Sequence, residues 1–600
     1  MLRKILLPSI LVMLGYGFWI SPDFKEIAAG VSIFLFGMLF LEEGFKAFTG
    51  GVLEKLLQKT TDKTWKSLLF GIVSTTVMQS SSLVSVITIS FISAGLVTLV
   101  AGIGIIFGAN IGTTTGAWLV AAFGLKVKIS AYAMPMLVFG IVLSFQKSRY
   151  LKGIGSVLAG LGFLFLGIHY MKEGFEAFRD SFDLASFAVG GYPGLFLFAA
   201  IGAAATVVMQ SSHATLVLIL TALAAAQITY ENALALAIGA NVGTTITAII
   251  GSLSANVQGK RLAGAHLVFN VATGVIAIVF ISQFVWAVEW VSDHVGIAQD
   301  NYTMKLAVFH TLFNVTGVML MVPLINRLAD YLFRVFPEKT ADLAEPLYLS
   351  EAAIEFPETV LKSLKKEVWN LFDSAFELIA HGLNLHRREI LESPDLEKTI
   401  AEDREIHEFD MDEVYESKVK VLYAAIIEFI SHSQAHMPSL YAEEMFRLRK
   451  ASSEIVECVK HIKHLRKNAT RYLVSDNDHI RKEYNRLRYQ VALILREIYR
   501  LRGEGDYDHG LAMLEIDELK AEVQLAHRQL DERITAVLRD ERITPMMATS
   551  LLNDFNYVDQ TAQNLLDTAQ ALLISHTDLV AEAAQEVVLD EEEIDEVTTV

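Results

Sequence analysis

The chain has 600 residues, of which 52% are hydrophobic, and a formal net charge of −18 at pH 7. Residues 1–345 carry 21 Lys and Arg against 18 Asp and Glu, whereas residues 346–600 carry 29 against 50. An apolar, nearly neutral half followed by an acidic half indicates a membrane domain joined to a soluble domain, and the acidic half is a poor candidate for nucleic-acid binding. The single cysteine, Cys458, excludes an intrachain disulfide and a cysteine-based metal site.

Eleven apolar segments of the first half are candidate membrane spans, because a helix needs about 20 apolar residues to cross a bilayer. They lie at approximately 5–20, 27–41, 68–92, 95–120, 130–145, 153–171, 193–208, 211–228, 232–251, 262–284 and 306–325. Several are short or interrupted by glycine, which predicts interrupted or re-entrant helices. Basic residues follow the last span, at Arg327 and Arg334, so the positive-inside rule predicts a cytoplasmic second half.

An internal repeat divides the membrane segment. The motif Gln79-Ser80-Ser81-Ser82 returns 131 residues later as Gln210-Ser211-Ser212-His213, and the block 108–114 returns at the same spacing as 239–245. The block 43–48 returns as 173–178 at a spacing of 130. We therefore predict a transmembrane transporter domain at 1–335, with repeat one at about 27–145, repeat two at about 155–285 and an extra span at 306–325.

The repeated motifs place amides and hydroxyls within apolar sequence, where such groups must face protein, ions or water. Amides and hydroxyls can donate hydrogen bonds to phosphate oxygens, and their oxygens can bind Na⁺. The candidate phosphate-binding residues are Gln79, Ser80, Ser81, Ser82, Gln210, Ser211, Ser212, Asn110 and Asn241. The candidate sodium-binding residues are Thr113, Thr114, Thr244, Thr245 and Ser82, with His213 as a further candidate.

The motif regions are almost free of charge. Residues 67–125 contain no Lys, Arg, Asp or Glu, and residues 184–259 contain only Glu231. Co-bound Na⁺ would balance a bound anion there and couple the two substrates. The alternative is that Ser, Thr and Gly merely allow close helix packing. Two His-x-x-x-Asn pairs, at 266/270 and 310/314, favour hydrogen bonds between helices over lining of the pathway.

The second half has amphipathic helical periodicity at 360–379 and again at about 405–432, 440–472, 478–502, 510–540 and 545–574, which predicts an antiparallel helical bundle. Glu408 and Asp412 would lie four residues apart on one predicted helix and could hold a divalent metal, although a solvated face is the stronger interpretation. An acidic, disordered tail is expected at 586–600. We find no nucleotide-binding or hydrolase motif and expect no enzyme activity.

The paired Gln-Ser-Ser and Gly-Ala-Asn blocks resemble the sodium-dependent phosphate cotransporter family, the bacterial relatives of type II sodium–phosphate cotransporters. The region 346–585 is similar to PhoU-type domains, which are helical bundles linked to phosphate regulation. This resemblance implies inverted repeats whose Gln-Ser-Ser segments meet near the bilayer midplane. The loop charges alone look parallel, since Lys126 and Lys128 correspond in position to Lys260 and Arg261.

The sequence as a whole predicts an all-α, polytopic inner-membrane protein that couples Na⁺ to transport of inorganic phosphate and carries a cytoplasmic regulatory domain. Three alternatives stay open: a membrane-anchored phosphate sensor without net transport, a phosphate exporter, and a transporter of another small oxyanion. The expected partners are phosphate, sodium and the lipid bilayer, with a second copy of the chain as a candidate, and no nucleic acid. His213 replaces a third serine, so His213→Ser is expected to flatten the pH dependence of uptake.

Overall fold

The structure is a computed structural model that describes residues 11–12, 14–49, 63–124, 130–181, 189–253, 255–337, 344–354, 356–404, 406–407, 409–435, 437–438, 441–503 and 509–574. Helices account for all the regular structure in these ranges, which confirms the predicted all-α class. The chain divides into two compact units, residues 1–338 and residues 339–600. The predicted tail at 586–600 lies outside the described residues.

Thirteen α-helices of the first unit are described over their whole length. They are α1 (Pro22–Thr49), α2 (Thr64–Met78), α3 (Ser81–Ser93), α4 (Leu99–Leu119), α5 (Ser130–Ser144), α6 (Arg149–Ser181), α7 (Gly191–Met209), α8 (Ser212–Ala224), α9 (Tyr230–Ser252), α10 (Val257–Val279), α11 (Ile281–Val295), α12 (Tyr302–Met321) and α13 (Ile325–Val335). The π-helix Val120–Gly124 extends α4, and the 3₁₀ turn Val322–Leu324 joins α12 to α13.

Among the described residues of this unit, seven helical segments are long and apolar enough to cross a membrane, which supports the prediction of a polytopic membrane protein. They are Asp23–Phe45, Leu99–Ala122, Tyr150–Ala177, Gly191–Met209, Tyr230–Ser252, Val257–Val279 and Tyr302–Val335. The predicted span 68–92 is wrong as a single helix. It comprises α2 and α3, because the backbone reverses at Gln79.

Helices α1 and α6, which carry the repeated 43–48 and 173–178 blocks, pack against each other through glycines. A Cβ built on Gly30 would lie 2.8 Å from the carbonyl oxygen of Gly167, and a Cβ built on Gly37 would lie 2.8 Å from that of Gly160. Because the contact moves from Gly30 to Gly37 in one helix as it moves back from Gly167 to Gly160 in the other, the two helices are antiparallel. Any side chain at these positions would push the backbones apart.

Arg261 does not lie in a loop, as the charge pattern suggested, but in the second turn of α10. It is 2% exposed, and its Nε and Nη2 atoms donate to the carbonyl oxygen of Phe336 at 3.0 and 2.6 Å. Its guanidinium also lies 4.2 Å from the centre of the Phe333 ring. This cation therefore caps the C-terminal end of α13, and it is not evidence for the orientation of a loop.

The second unit is built from nine described α-helices. They are α14 (Pro357–Gly382), α15 (Arg387–Glu392), α16 (Leu396–Glu402), α17 (Met411–Val414), α18 (Lys420–Gln434), α19 (Ala442–Leu473), α20 (Asp478–Gly503), α21 (His509–Arg539) and α22 (Pro545–Leu573). A π turn, Tyr415–Val419, joins α17 to α18. The long helices α14, α19, α20 and α22 bury their apolar stripes in one core.

Helices α19 and α22 are antiparallel, as two hydrogen bonds show. Cys458 Sγ contacts the carbonyl oxygen of Thr561 at 3.7 Å, and Asn468 Nδ2 donates to Asp554 Oδ2 at 2.9 Å. Tyr484 of α20 donates to the same Asp554 oxygen at 2.6 Å. Burial raises the pKa of the Asp554 carboxyl, and these two donors partly offset that effect.

The predicted metal pair is not supported by the structure. Asp410 caps α17 by accepting from the backbone N–H groups of Asp412 and Glu413, so the helix begins at Met411 and does not extend back over the predicted pair. Asp412 forms an ion pair with Lys463, and Glu408 lies outside the described residues. Within the described part of the chain, no group of three His, Cys, Asp or Glu side chains is arranged to hold a metal ion.

Candidate functional site

Each Gln-Ser-Ser motif interrupts a helix in the same way. Gln79 and Gln210 adopt left-handed backbone conformations, with φ values of +51° and +52°. The serine that follows each glutamine caps the next helix: Ser80 Oγ accepts from Leu83 N at 3.2 Å, and Ser211 Oγ accepts from Ala214 N at 3.1 Å. The motif is therefore a sharp reversal followed by a helix N-terminus, where backbone N–H groups and the helix dipole favour an anion.

In repeat one, this reversal is the tip of a helical hairpin. Helix α2 runs parallel to α4, because Cβ atoms built on Gly104 and Gly112 would approach Thr64 O at 3.4 Å and Ile72 O at 2.7 Å. Gln79 then lies beside Thr115, well inside α4. Helix α3 returns to the start of α4 and is about 19 Å long, too short to cross a bilayer core of about 30 Å.

Repeat two has the same construction. Helix α7 runs parallel to α9, where Cβ atoms built on Gly239 and Gly243 would meet Ala199 and Ala203 respectively. The short helix α8 follows the reversal at Gln210, as α3 follows Gln79. Both repeats thus carry a helical hairpin with a Gln-Ser-Ser motif at its tip.

The two hairpin tips contact each other's repeat in a reciprocal pattern. Ser82 Oγ lies 3.3 Å from Oγ1 of Thr247, which belongs to α9 of repeat two. His213 packs against Gly116 of α4 in repeat one, since a Cβ built on Gly116 would overlap the imidazole ring. Ser82 corresponds to His213 and Gly116 corresponds to Thr247 at the repeat spacing of 131. The same pair of positions therefore meets twice, once with each repeat supplying the tip.

The glutamine side chains of the two motifs differ in their surroundings. Gln79 is half-buried, and its Nε2 donates to Thr115 Oγ1 at 3.1 Å and to Thr76 O at 2.6 Å. Gln210 is exposed, and the residue that corresponds to Thr115 is Ile246, which has no hydrogen-bonding side chain. The amide of repeat one is thus oriented by its neighbours, whereas that of repeat two is not.

Asn110 and Asn241, both predicted to contact phosphate, are buried. Asn241 Nδ2 donates to Asn314 Oδ1 at 2.9 Å, and its Oδ1 lies 3.0 Å from His310 Nε2. This network joins α9 to α12 and confirms the interpretation of the second His-x-x-x-Asn pair as a helix–helix contact. Asn110 Nδ2 donates to Ile106 O of its own helix at 2.9 Å, so the structure gives both asparagines structural partners.

The four candidate sodium-binding threonines use their hydroxyl protons within their own helices. Thr113 and Thr244 donate to carbonyl oxygens four residues earlier, and Thr114 and Thr245 donate to carbonyl oxygens three residues earlier. A hydroxyl that donates in this way retains oxygen lone pairs for a cation. These side chains are chemically suited to Na⁺, and all four flank the part of α4 or α9 that contacts a hairpin tip.

Sequence reasoning missed three residues that bring the motifs together, namely Thr115, Gly116 and Thr247. The sequence contained a signal for these residues. Directly after the matching blocks 108–114 and 239–245 the two repeats differ, with Thr115 and Gly116 in repeat one where repeat two has Ile246 and Thr247. It also missed the glycines of α1 and α6. Gly30 and Gly37 recur as Gly160 and Gly167 at the spacing of 130.

Comparison with known proteins shows which family two segments of the first unit resemble. Residues 33–173 and 195–318 match the Na⁺/Pi-cotransporter family, and each of these two segments contains one Gln-Ser-Ser motif. The protein YqeW of Bacillus subtilis, which is named as uncharacterized, is 29% identical over 318 residues, covering 52% of this chain and 98% of YqeW. No solved structure matches the chain.

Two further relatives are named as candidate inorganic phosphate export proteins, both called YjbB. The protein of Escherichia coli K12 is 25% identical over 364 residues, and that of Salmonella typhimurium is 26% identical over 363 residues. Each match covers 60% of this chain and 64% of the relative, so the chain spans less than two thirds of those proteins. By family and by named relatives, the first unit is similar to membrane proteins that handle inorganic phosphate.

Proposed function

We propose that the first unit is an Na⁺-coupled transporter of inorganic phosphate, and that the two Gln-Ser-Ser motifs form one substrate site. The observation that carries this proposal is the reciprocal contact between repeats: each hairpin tip reaches the long helix of the other repeat. Neighbouring residues of α4, Thr115 and Gly116, contact Gln79 and His213 respectively. Both motifs therefore converge on one turn of one helix.

The convergent groups suit a phosphate oxyanion. The amide of Gln210, the hydroxyls of the serines and the N-terminal N–H groups of α3 and α8 can donate hydrogen bonds. The two Nε2 protons of Gln79 are donated to Thr76 and Thr115, which leaves its amide oxygen as a possible ligand for Na⁺. The side chains provide no positive charge to balance the anion, because the sequence around both motifs lacks Lys and Arg. Na⁺ bound to oxygens of the serines and threonines would supply that charge, so each substrate would raise the affinity for the other.

We further infer that the repeats have inverted topology. In an inverted pair, equivalent helices run in opposite directions about an axis in the membrane plane. Helices α1 and α6 are equivalent by sequence and antiparallel in the structure, and the contact of Gly30 with Gly167 maps onto the contact of Gly160 with Gly37 under the repeat spacing. A parallel repeat would require α1 and α6 to run in the same direction.

The second unit is assigned a regulatory role on the cytoplasmic side of the inner membrane. Its long amphipathic helices share one core and its sequence is acidic, as in the PhoU-type bundles that the sequence resembles. The basic residues Arg327 and Arg334 of α13, directly before this unit, agree with a cytoplasmic position.

Transport is tested by uptake of radiolabelled phosphate into proteoliposomes, with and without an inward Na⁺ gradient. The intact protein should accumulate phosphate only with the gradient, and the double variant Gln79→Ala, Gln210→Ala should lose accumulation. Gln146→Ala, which changes an exposed glutamine outside the motifs, is the matched control and should retain uptake. Inhibition of this uptake by sulfate or arsenate would show which oxyanions the site accepts.

Export is the second candidate, because two relatives carry names that assign phosphate export. Vesicles loaded with labelled phosphate distinguish the two directions by the Na⁺ gradient that accelerates loss of the label. Phosphate binding without flux in either direction would refute transport and would favour the sensor alternative.

A further inference from the structure

A short block of sequence that does not follow the 131-residue spacing also occurs twice in the first unit. Residues 266–271 of α10 read HLVFNV, and residues 310–315 of α12 read HTLFNV. The histidine and the asparagine of each block are at most 1% exposed. The two blocks therefore place the same pair of polar side chains in the interior of this unit at two positions.

The two blocks pack against equivalent helices of the two repeats. The block of α12 contacts α9, where Asn241 binds both polar side chains of the block. The block of α10 contacts α4, since the ring centres of Phe269 and Phe107 lie 4.4 Å apart. Asn110, about one turn after Phe107, is the equivalent of Asn241 at the spacing of 131. Helix α10 thus stands to α4 as α12 stands to α9.

The packing of α10 on α4 brings Asn110 to the level of the α10 block. A Cβ built on Gly102 would lie 3.4 Å from Leu262 Cδ1, and the contact between the two phenylalanine rings lies further along both helices. The two helices therefore run parallel. Asn110 and Asn270 each lie within one turn of those rings, so the two asparagines share one level of the helix pair.

The asparagines of the two blocks are oriented in the same way. Asn270 Nδ2 donates to His266 O at 3.1 Å, and Asn314 Nδ2 donates to His310 O at 2.8 Å. Each amide therefore keeps its Oδ1 as an acceptor for a further bond. In α12 this oxygen accepts from Asn241 Nδ2 at 2.9 Å. In α10 the Oδ1 of Asn270 is buried and has no hydrogen-bond partner among the described residues.

This difference does not come from the residue types, because donor and acceptor are asparagines at both positions. It comes from Asn110, whose Nδ2 donates to Ile106 O of its own helix at 2.9 Å. The buried oxygen of Asn270 is closed to solvent, so a partner has to come from a neighbour already packed against α10. A buried carbonyl oxygen without a partner is unfavourable, and Asn110 is the donor that the equivalence of the two blocks supplies.

We propose that Asn110 is a conformational switch. Joint one is defined as Asn110 with Asn270, and joint two as Asn241 with Asn314. Joint two is closed in this structure and joint one is open. In the opposite state, Asn110 Nδ2 leaves Ile106 O and donates to Asn270 Oδ1, while joint two opens. The two joints thus close alternately.

The switch rests on the proposed transport function and gives it a moving part. Exchanging the conformations of two inverted repeats turns a state that faces one side of the membrane into a state that faces the other. Thr115, which holds Gln79, lies five residues after Asn110, or about 7.5 Å along α4. A change in the attachment of α4 to α10 would therefore move the part of α4 that contacts the proposed phosphate site.

The test traps each joint with Hg²⁺ in the full chain in lipid nanodiscs. Cys458→Ser removes the one cysteine of the chain. Asn110→Cys with Asn270→Cys then converts joint one, and Asn241→Cys with Asn314→Cys converts joint two. Hg²⁺ bridges two neighbouring thiols, and a wash with glutathione removes Hg²⁺ that is held by a single thiol.

Each pair variant should retain one Hg²⁺ per chain, and the chain with all four cysteines should also retain one, because closing one joint opens the other. Chains with a single cysteine are the control and should retain none, and the thermal transition identifies any variant that fails to fold. Two Hg²⁺ in the chain with four cysteines, or none at joint one while joint two retains one, would overturn the switch. Hg²⁺ is counted without phosphate, so the expected counts together with no phosphate uptake by the parent chain would refute transport and support the switch.

A double-mutant cycle on phosphate uptake is a second probe of joint one. Asn270→Leu removes the acceptor and Asn110→Leu removes the donor with little change in volume, and each should slow sodium-driven uptake about fivefold or more. Because the two side chains share one hydrogen bond, the double variant should be no slower than the slower single variant. Effects that multiply in the double variant would show that the two amides never pair and would overturn the proposal.

Discussion

The two repeats of the first unit share a helical-hairpin architecture but distribute their side chains differently at one cross-repeat contact. Where repeat one supplies the tip, two small hydroxyl residues meet, Ser82 and Thr247. Where repeat two supplies the tip, the imidazole of His213 occupies the space left by Gly116. A large residue on one side is thus matched by the loss of a side chain on the other.

This difference indicates that the two equivalent contacts between a hairpin tip and a long helix keep a similar total side-chain volume but use different chemical groups. Interiors are packed closely enough that a change of one side chain must be compensated by its neighbour. The glutamines differ in a second respect, since Gln79 is held by Thr115 whereas Gln210 faces Ile246. The repeats therefore share an architecture while their two halves of the site are unequal.

The largest expected effect comes from Gly116→Thr, which copies the residue of repeat two into repeat one. The new side chain would overlap His213, and overpacking of this kind should reduce sodium-driven phosphate uptake by at least about tenfold. The double variant Gly116→Thr, His213→Ser recreates the Ser82–Thr247 pair and should restore most of the uptake. A double variant as inactive as Gly116→Thr alone would contradict the compensation.

An intermediate effect is expected at the glutamine of repeat one. Thr115→Val removes the hydrogen-bond acceptor for Gln79 Nε2 and should raise KM for phosphate about fivefold, the typical weight of one hydrogen bond. Ile246→Thr is the matched change in repeat two. Because it breaks no hydrogen bond, it should leave KM within about twofold. Equal responses to the two substitutions would show that the repeats do not differ in this way.

The smallest effect is expected for His213→Ser alone. The serine leaves a space beside Gly116 and Phe34, whose ring centre lies 5.8 Å from that of His213, and uptake at neutral pH should fall only modestly. Because the imidazole is buried against Gly116 and Phe34, away from the water that would stabilise its charged form, the flattening of the pH profile of uptake between about 5.5 and 7.5 that the sequence predicts should be small. An unchanged pH profile of uptake would exclude a role for protonation of this histidine.

Much of this organisation could be predicted from the sequence, because hydropathy and a repeat of fixed spacing are properties of the chain alone. The sequence predicted that some helices would be interrupted, but it did not locate the interruption at Gln79. The span 68–92 was predicted as one segment because no rule of composition assigns a left-handed conformation to glutamine. The positions at which the repeats differ were visible in the sequence, but which of them contact the motifs of the other repeat could not be predicted. Which residue of α4 or α9 meets Ser82 or His213 depends on tertiary packing.

The metal site considered at Glu408 and Asp412 depended on where a helix begins. The spacing of Glu408 and Asp412 indicated a shared helix face only if the helix extended back to about residue 405, and the cap at Asp410 starts it at Met411. Local capping chemistry determined that boundary, although the amphipathic pattern continued through it.

The central claim, that both motifs contribute to one phosphate site, is tested most directly by binding stoichiometry. Equilibrium binding of radiolabelled phosphate to the full chain in nanodiscs, at saturating Na⁺, should give one phosphate per chain. Gln79→Gly and Gln210→Gly remove the amides while permitting the left-handed backbone, and each alone should weaken binding at that one site. Two phosphates per chain in the parent protein, with each substitution abolishing one of them, would show two separate sites and would contradict the account.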